Sequence, residues 1–261
     1  MKRLATLAAA LLLAIHAGAS PSVAQRVQDS GELRVCIWPD YYGISLRDPR
    51  TGQLSGIDID LSAAFAADLK VKPRYVDSSF PTLVDDLLQD RCDVAMFAVG
   101  MTAQRQKQLR FSRPYLQSDI YAVATRSSRV VQRWDDLDKP GVRIAVQAGT
   151  FMEPVMAATL KQATLVVVRP PQTRERELEA GRVDAFMTDY PYSRRLLDNA
   201  DWARLVEPPQ PFSVLPYAYA VKPGDAAWLA AVDDFVVRIQ HDGRLQAAAR
   251  RHGLSAIVRT P

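Results

Sequence analysis

Two patterns of apolar and polar positions alternate along this chain: short unbroken apolar runs, and longer stretches with a single apolar face. "LRVCIW" (33–38), "KPRYVD" (72–77) and "CDVAMFAV" (92–99) have the length and composition of strands, the last of them apolar enough to be buried on both faces. Between the first two, "SGIDIDLSAAFAADL" (55–69) sets Leu61, Phe65 and Leu69 on one helical face, and Ser55 with Asp58 forms an S-x-x-D start signal. "FPTLVDDLLQD" (80–90) predicts a second helix, opened by Pro81 in its first turn, with Leu83, Val84, Leu87 and Leu88 inward. A second series begins near residue 119. It has strands in "DIYAVATR" (119–126), "VRIAVQAG" (142–149), "TLVVVRP" (164–170) and "RVDAFMTD" (182–189). Its helices are "TFMEPVMAATL" (150–160) and "TRERELEAG" (173–181), the second closed by Gly181. After "FSVLPYAYAVKP" (212–223) the chain ends in the helix "AAWLAAVDDFVVRIQ" (226–240), a "HDGR" turn and the shorter helix "LQAAARRHG" (245–253).

Strands alternating with helices predict an α/β fold with mostly parallel sheets covered on both faces. Two such series predict two lobes. No Gly/Ser-rich linker separates them, so extended segments would cross the boundary, in "YLQSDIYAVA" (115–124) and "VLPYAYAV" (214–221). Residues 25–118 with 217–261 are expected to form lobe 1, and residues 119–216 lobe 2.

Residues 1–24 stand apart from this pattern. Lys2 and Arg3 precede an apolar run from Leu4 to Ile15, which is short for a bilayer, and Ser22-Val23-Ala24 offers small residues for cleavage. This predicts a secretory signal cut near Ala24 and a mature protein in the periplasm. No cysteine follows the cut to carry a lipid.

Composition is ordinary for a globular chain, 48% hydrophobic and 24% charged, with a net charge of +4 of which the signal supplies two. The remaining charges are interspersed, which argues against a nucleic-acid partner. Cys36 and Cys92 are the only cysteines. Each lies in or beside a predicted strand, and in an oxidising compartment they are expected to form a disulfide, two buried thiols being the alternative.

The sequence carries no G-x-G-x-x-G after the first strand and no G-x-x-x-x-G-K, so no nucleotide fingerprint is present. His241 and His252 lie in the C-terminal helical segment without metal-ligand spacing or a nearby nucleophile, which argues against a metal site or a hydrolase.

In open α/β sheets, ligands bind beyond the carboxyl ends of the strands. That rule selects Trp38, Tyr41 and Tyr42 after the first strand, and Phe80 after the second. It also selects "VGMTAQR" (99–105), where the guanidinium fork of Arg105 suits a carboxylate. Gly149-Thr150 stands between strand and helix, where free N–H groups favour an anion. Asp189 ends its strand and suits either an ammonium group or a helix cap. An arginine, a helix start, an aspartate and several aromatics together describe a site for an α-amino acid.

With "GQLSGIDIDL", "RCDVAMFAVGMTAQRQKQLRFSRPY", "VRIAVQAGT", "AGRVDAFMTD" and "HDGRL", nearly the whole mature chain resembles the bacterial periplasmic solute-binding proteins of family 3, which capture amino acids for ABC importers. The resemblance implies a type II periplasmic binding protein fold with two hinge strands, and a monomer that meets a membrane permease and needs no cofactor. By position it assigns the ligand carboxylate to Arg105, with Gly100, Thr102, Gly149 and Thr150 around it. The α-amino group falls to Asp189, and the ligand is sandwiched by Tyr41 and Phe80.

The chain departs from the family pattern at three places. Gly100 replaces a hydroxyl residue, and Phe151 follows the Gly-Thr where a second hydroxyl is usual. Trp38 stands where members that bind basic amino acids carry an acid. An uncharged or aromatic amino acid, or another small carboxylate, is therefore the expected ligand. The resemblance also extends to cyclohexadienyl dehydratases, through "SSFPTLVDDLLQDRCDVAM" and "MTDYPYSRR", with Glu153 the nearest carboxyl to the Gly-Thr turn. The cysteine pair resembles a group associated with periplasmic dehydrogenases, so an accessory or sensor role is a third reading.

Overall fold

The computed structural model describes residues 22–259. The expected signal sequence lies outside these residues except for its last three. Ser22 caps the first helix, α1 (Val23–Ser30), by accepting from the Gln25 amide, and the Val23 amide donates to Asp225. A cut after Ala24 would remove that cap.

The chain then runs β1 (Glu32–Ile37), β2 (Leu46–Arg47), β3 (Leu54–Ser55), α2 (Ile57–Asp68), β4 (Lys72–Asp77), α3 (Leu83–Leu88), β5 (Val94–Gly100), α4 (Ala103–Gln108), β6 (Arg110–Phe111) and β7 (Leu116–Ser118). The second series is β8 (Ile120–Thr125), β9 (Arg143–Gln147), α5 (Met152–Thr159), β10 (Thr164–Val168), α6 (Arg174–Glu179), β11 (Ala185–Asp189), α7 (Tyr190–Leu197) and β12 (Ala203–Val206). It closes with β13 (Leu215–Val221), α8 (Ala226–His241) and α9 (Arg244–Arg251).

Two mixed sheets result. The first has the order β4-β1-β5-β13-β6, with β7 also on β13; β4, β1 and β5 run parallel and β13 runs antiparallel to β5. The second has the order β10-β9-β11-β8-β12, with β10, β9 and β11 parallel and β8 and β12 antiparallel. The chain leaves the first sheet through β7 into β8 and returns from β12 into β13, so two extended crossings join the sheets.

The all-apolar run of β5 is buried at every residue, because β1 and β13 flank it and helices cover both faces. Behind it, Phe65 of α2 packs on Trp228 and Phe235 of α8, with ring centroids 5.8 and 4.7 Å apart. Cys36 and Cys92 are joined in a disulfide with 5.6 Å between their Cα atoms, tying β1 to the segment that enters β5.

The start of α2 corrects the capping expectation. The helix begins at Ile57 after Gly56, without a side-chain cap. Asp58 instead turns inward and is fully buried. It accepts from the hydroxyl of Tyr115 at 2.6 and 2.7 Å, from Tyr219 at 3.1 Å and from the amide of Ala98 at 2.8 Å. Burial raises its pKa to about 7 against these donors. The amide it holds belongs to a residue with φ of 49°, so this carboxylate pins an unusual backbone conformation within β5. In α3, Leu83 and Leu87 are buried as expected, whereas Leu88 is exposed.

Candidate functional site

β1, β4 and β5 of one sheet and β9 and β11 of the other point their carboxyl ends at a shared cleft. Its inner part is a tight cavity with about 20 Å³ of free space, lined from the first lobe by Tyr41, Phe80, Gly100 and Arg105, and from the second by Thr150 and Asp189. Eight of the nine expected ligand positions therefore meet at one cleft: these six line the inner cavity, and Thr102 and Gly149 lie in its wider mouth.

Trp38 is placed differently. Trp38 is not among the residues lining the inner cavity; its ring packs 5.2 Å from those of both Tyr41 and Phe80. Thr102 stands in the cleft mouth and caps α4, its hydroxyl accepting from the Arg105 amide at 3.2 Å.

Arg105 is the centre of the arrangement. It is buried, and its guanidinium reaches both lobes: Nη1 donates to the Gly100 carbonyl at 3.0 Å and Nη2 to the Gly149 carbonyl at 2.9 Å. Its carbon Cζ lies 5.2 Å from the centroid of Phe80, within cation–π range. Among the described residues it makes no ion pair. Removal from water without a counter-ion lowers its pKa to about 10, so it remains charged at neutral pH.

Gly149 has φ of 74°, which favours glycine, and a Cβ there would stand 2.8 Å from the Pro81 nitrogen of the opposite lobe. The free N–H groups anticipated at this turn have partners. The Gly149 amide donates to Glu153 at 2.8 Å, and the Thr150 amide and hydroxyl both donate to the Gln147 carbonyl, at 3.3 and 2.7 Å.

Asp189 is fully buried and combines two of the expected features. Its Oδ1 caps α7 by accepting from the Tyr192 amide at 3.2 Å. Its Oδ2 accepts from the hydroxyls of Tyr41 and Tyr217, the latter at 2.7 Å. Burial raises its pKa, while the two tyrosines and the amide oppose the rise.

The Gly100 departure has a steric cause. A Cβ at Gly100 would lie 2.5 Å from Cδ2 of Leu215, so the leucine of β13 fills the space a hydroxyl side chain would need. Four further polar residues of the lining are not singled out by the sequence: Arg174, Thr188, Tyr192 and Tyr217. Arg174 opens α6 just beyond the carboxyl end of β10, a place the strand-end rule selects, but its highly charged neighbours "RERELE" read as a solvated face. Among the described residues no group of three or more His, Cys, Asp or Glu side chains is placed to hold a metal.

Two sheets joined by two crossings, with a buried cation between them, define a clamp of the type II periplasmic binding protein class. The family model "Bacterial extracellular solute-binding proteins, family 3" matches residues 33–255, and the chain belongs to that family. It is 32% identical over 238 residues to the cyclohexadienyl dehydratase of Pseudomonas aeruginosa, covering 91% of this chain and 88% of that protein. It is 24% identical to the L-cystine-binding protein TcyJ of Escherichia coli, covering 92% and 89% of the two chains. Among solved structures, the ancestral amino acid-binding protein AncCDT-1, a precursor of cyclohexadienyl dehydratase, superposes with a TM-score of 0.80 at 28% identity, covering 88% of this chain and 99% of that one. AbpA of Streptococcus pneumoniae bound to L-arginine shares the fold, with a TM-score of 0.78 at 22% identity over 90% of this chain and 99% of that one.

Proposed function

We propose that this chain is an exported solute-binding protein that closes two lobes, 25–118 with 217–261 and 119–216, on a small carboxylate-bearing ligand and hands it to an ABC permease. The observation that carries the reading is Arg105, a buried guanidinium held by one carbonyl from each lobe with no carboxylate partner among the described residues. A buried charge without a counter-ion is costly, and a ligand carboxylate arriving in the cleft supplies one. Phe80 and Tyr41 give the body of the ligand apolar, planar walls, which suits an uncharged or aromatic amino acid. For such a ligand the ammonium group would replace a tyrosine hydroxyl on Asp189. The protein acts in the periplasm as a monomer after removal of its leader.

The test is calorimetry with whichever amino acid or small carboxylate raises the melting temperature in a screen. Arg105→Ala should abolish the binding heat while leaving the fold intact by circular dichroism. Undiminished affinity in this variant would overturn the assignment.

A second reading, a dehydratase acting on prephenate or arogenate, is favoured by the 32% identity to the Pseudomonas enzyme. Such chemistry needs a proton donor beside the leaving hydroxyl. Glu153 faces the cleft mouth with its carboxylate on the Gly149 amide, and the buried acid inside the cavity is Asp189. Incubation with prephenate, followed by absorbance of phenylpyruvate, decides between catalysis and binding.

A further inference from the structure

The cavity holds a second guanidinium. Arg174 is 4% exposed and lines the same inner space as Arg105, from the opposite lobe. Its Cζ lies 4.7 Å from the centroid of Tyr192 and 5.3 Å from that of Phe186, which fixes the plane of the group. Nη1 donates to the Met187 carbonyl at 2.7 Å. The nearest carboxylate oxygen is Oε1 of Glu175, 3.8 Å from Nε, and that oxygen already accepts from the Tyr192 hydroxyl at 2.8 Å. Nη2 has no hydrogen-bond partner among the described residues.

An independent observation lies beside it. Thr188 is 1% exposed, lines the same cavity, and its Oγ1 has no hydrogen-bond partner. An unpaired buried hydroxyl is destabilising, and such groups in native proteins are ordinarily met by water or a ligand. Asp189, the one carboxylate of the cavity wall, makes no hydrogen bond or ion pair to Arg174, although the nearby guanidinium helps to oppose the rise in its pKa; its bonds are to Tyr41, Tyr217 and the Tyr192 amide.

We propose that Arg174 and Thr188 form a second anion-binding subsite in the cavity, so that the ligand carries two carboxylate groups, one held by Arg105 and one by the Arg174 fork with the Thr188 hydroxyl. The inference rests on the clamp reading and narrows it to the class of small dicarboxylates. A planar guanidinium held beside two aromatic rings and bonded through one nitrogen keeps further N–H groups in the fork geometry that matches a carboxylate. The threonine hydroxyl adds a donor to the same group. Arg105 comes from one lobe and Arg174 from the other, and both line the inner cavity, so a dicarboxylate held by both would tie the lobes together.

The test measures selectivity. Calorimetry of the wild type with succinate, glutarate and adipate is set against the linear monocarboxylates of equal carbon number, and phenylsuccinate against 3-phenylpropanoate. The same pairs are run on Arg174→Gln, Arg174→Lys, Thr188→Val and Arg105→Ala, each checked for unchanged thermal unfolding. The expected result is at least a tenfold preference for one or more diacids over the matched monoacid in the wild type. That preference should fall below twofold in Arg174→Gln, with monoacid affinity held, and be partly retained in Arg174→Lys. Thr188→Val should reduce it severalfold.

Absence of any diacid preference in the wild type overturns the proposal. So does an equal loss of both acids in Arg174→Gln, which would mark the arginine as structural. If Arg174→Gln does not fold, Arg174→Lys and Thr188→Val carry the comparison, and an unchanged preference in both is a refutation. Undiminished diacid binding in Arg105→Ala would instead overturn the clamp reading itself, which separates the two failures.

Discussion

Gly149→Ala puts the meeting of the two lobes to the test. Gly149 has φ of 74°, and the added Cβ would stand 2.8 Å from the nitrogen of Pro81, 3.0 Å from its Cα and 3.0 Å from the carbonyl carbon of Phe80. All three are backbone atoms of the opposite lobe, so no side chain can swing aside. Two costs follow, and they are separable. The left-handed conformation costs an alanine about 1–2 kcal/mol, whether the lobes are together or apart. The contact with Pro81 exists only when they are together, and relieving it requires a retreat of about 0.5 Å or more by the usual packing distances. That retreat stretches the bond from Arg105 Nη2 to the Gly149 carbonyl, now 2.9 Å, a charge-assisted hydrogen bond of the kind worth about 1.5–3 kcal/mol.

A matched control is available in Gly141→Ala, where φ is 82° and no atom lies within 4 Å of the new Cβ. Both variants should lose similar thermal stability. Only Gly149→Ala should show a larger radius of gyration by small-angle scattering and a roughly 10- to 100-fold weaker affinity for any ligand that stabilises the wild type. Identical scattering curves for Gly149→Ala and the wild type, or equal affinity losses in the two glycine variants, would refute the argument.

Two further predictions concern the first lobe. Burial raises the Asp58 pKa from 3.8 to about 7, so the folded protein keeps a proton that the unfolded chain releases. Stability from this group is therefore full at low pH and is lost as pH rises from about 4 to 7, by linkage on the order of 4 kcal/mol. Asp58→Asn should flatten the decline of melting temperature between pH 5 and 7 in calorimetry, and an unchanged slope would argue that Asp58 is ionised throughout. Reduction of Cys36–Cys92, which are 56 residues apart, should release loop entropy worth about 4 kcal/mol, and thermal unfolding with and without reductant should differ by roughly 10 °C. A difference under 2 °C would show that the bridge adds little.

The order of strands and helices was legible because buried strands and one-faced helices have distinct periods, and the cleft followed from where parallel strands end. Arg105, Phe80 and Asp189 were reachable by that rule alone. Asp58 was misread because a polar residue three positions after Ser55 satisfies the pattern of a helix start, and periodicity cannot register that it points into a nest of tyrosine hydroxyls. Arg174 was hidden by its neighbours: "RERELE" has the composition of a solvated helix, and only the stacking of Tyr192 and Phe186, from other elements, buries its first residue. The strand-end rule selects Trp38 together with Tyr41, but it cannot register that the Trp38 ring packs on Tyr41 and Phe80 instead of lining the inner cavity. Thr102 is expected around the ligand carboxylate, and it stands in the cleft mouth with its hydroxyl capping α4.

The bonds from Tyr41 and Tyr217 to Asp189 join the two sides of the cleft through the protein's own groups. A gate fastened from within needs less free energy from its passenger to reach the closed form, which raises apparent affinity. The same fastening lets an empty carrier adopt the shape of a loaded one. In the import role proposed above, empty and loaded copies would then compete for one docking face, and the strength of two phenol–carboxylate bonds would set how much of the traffic is idle.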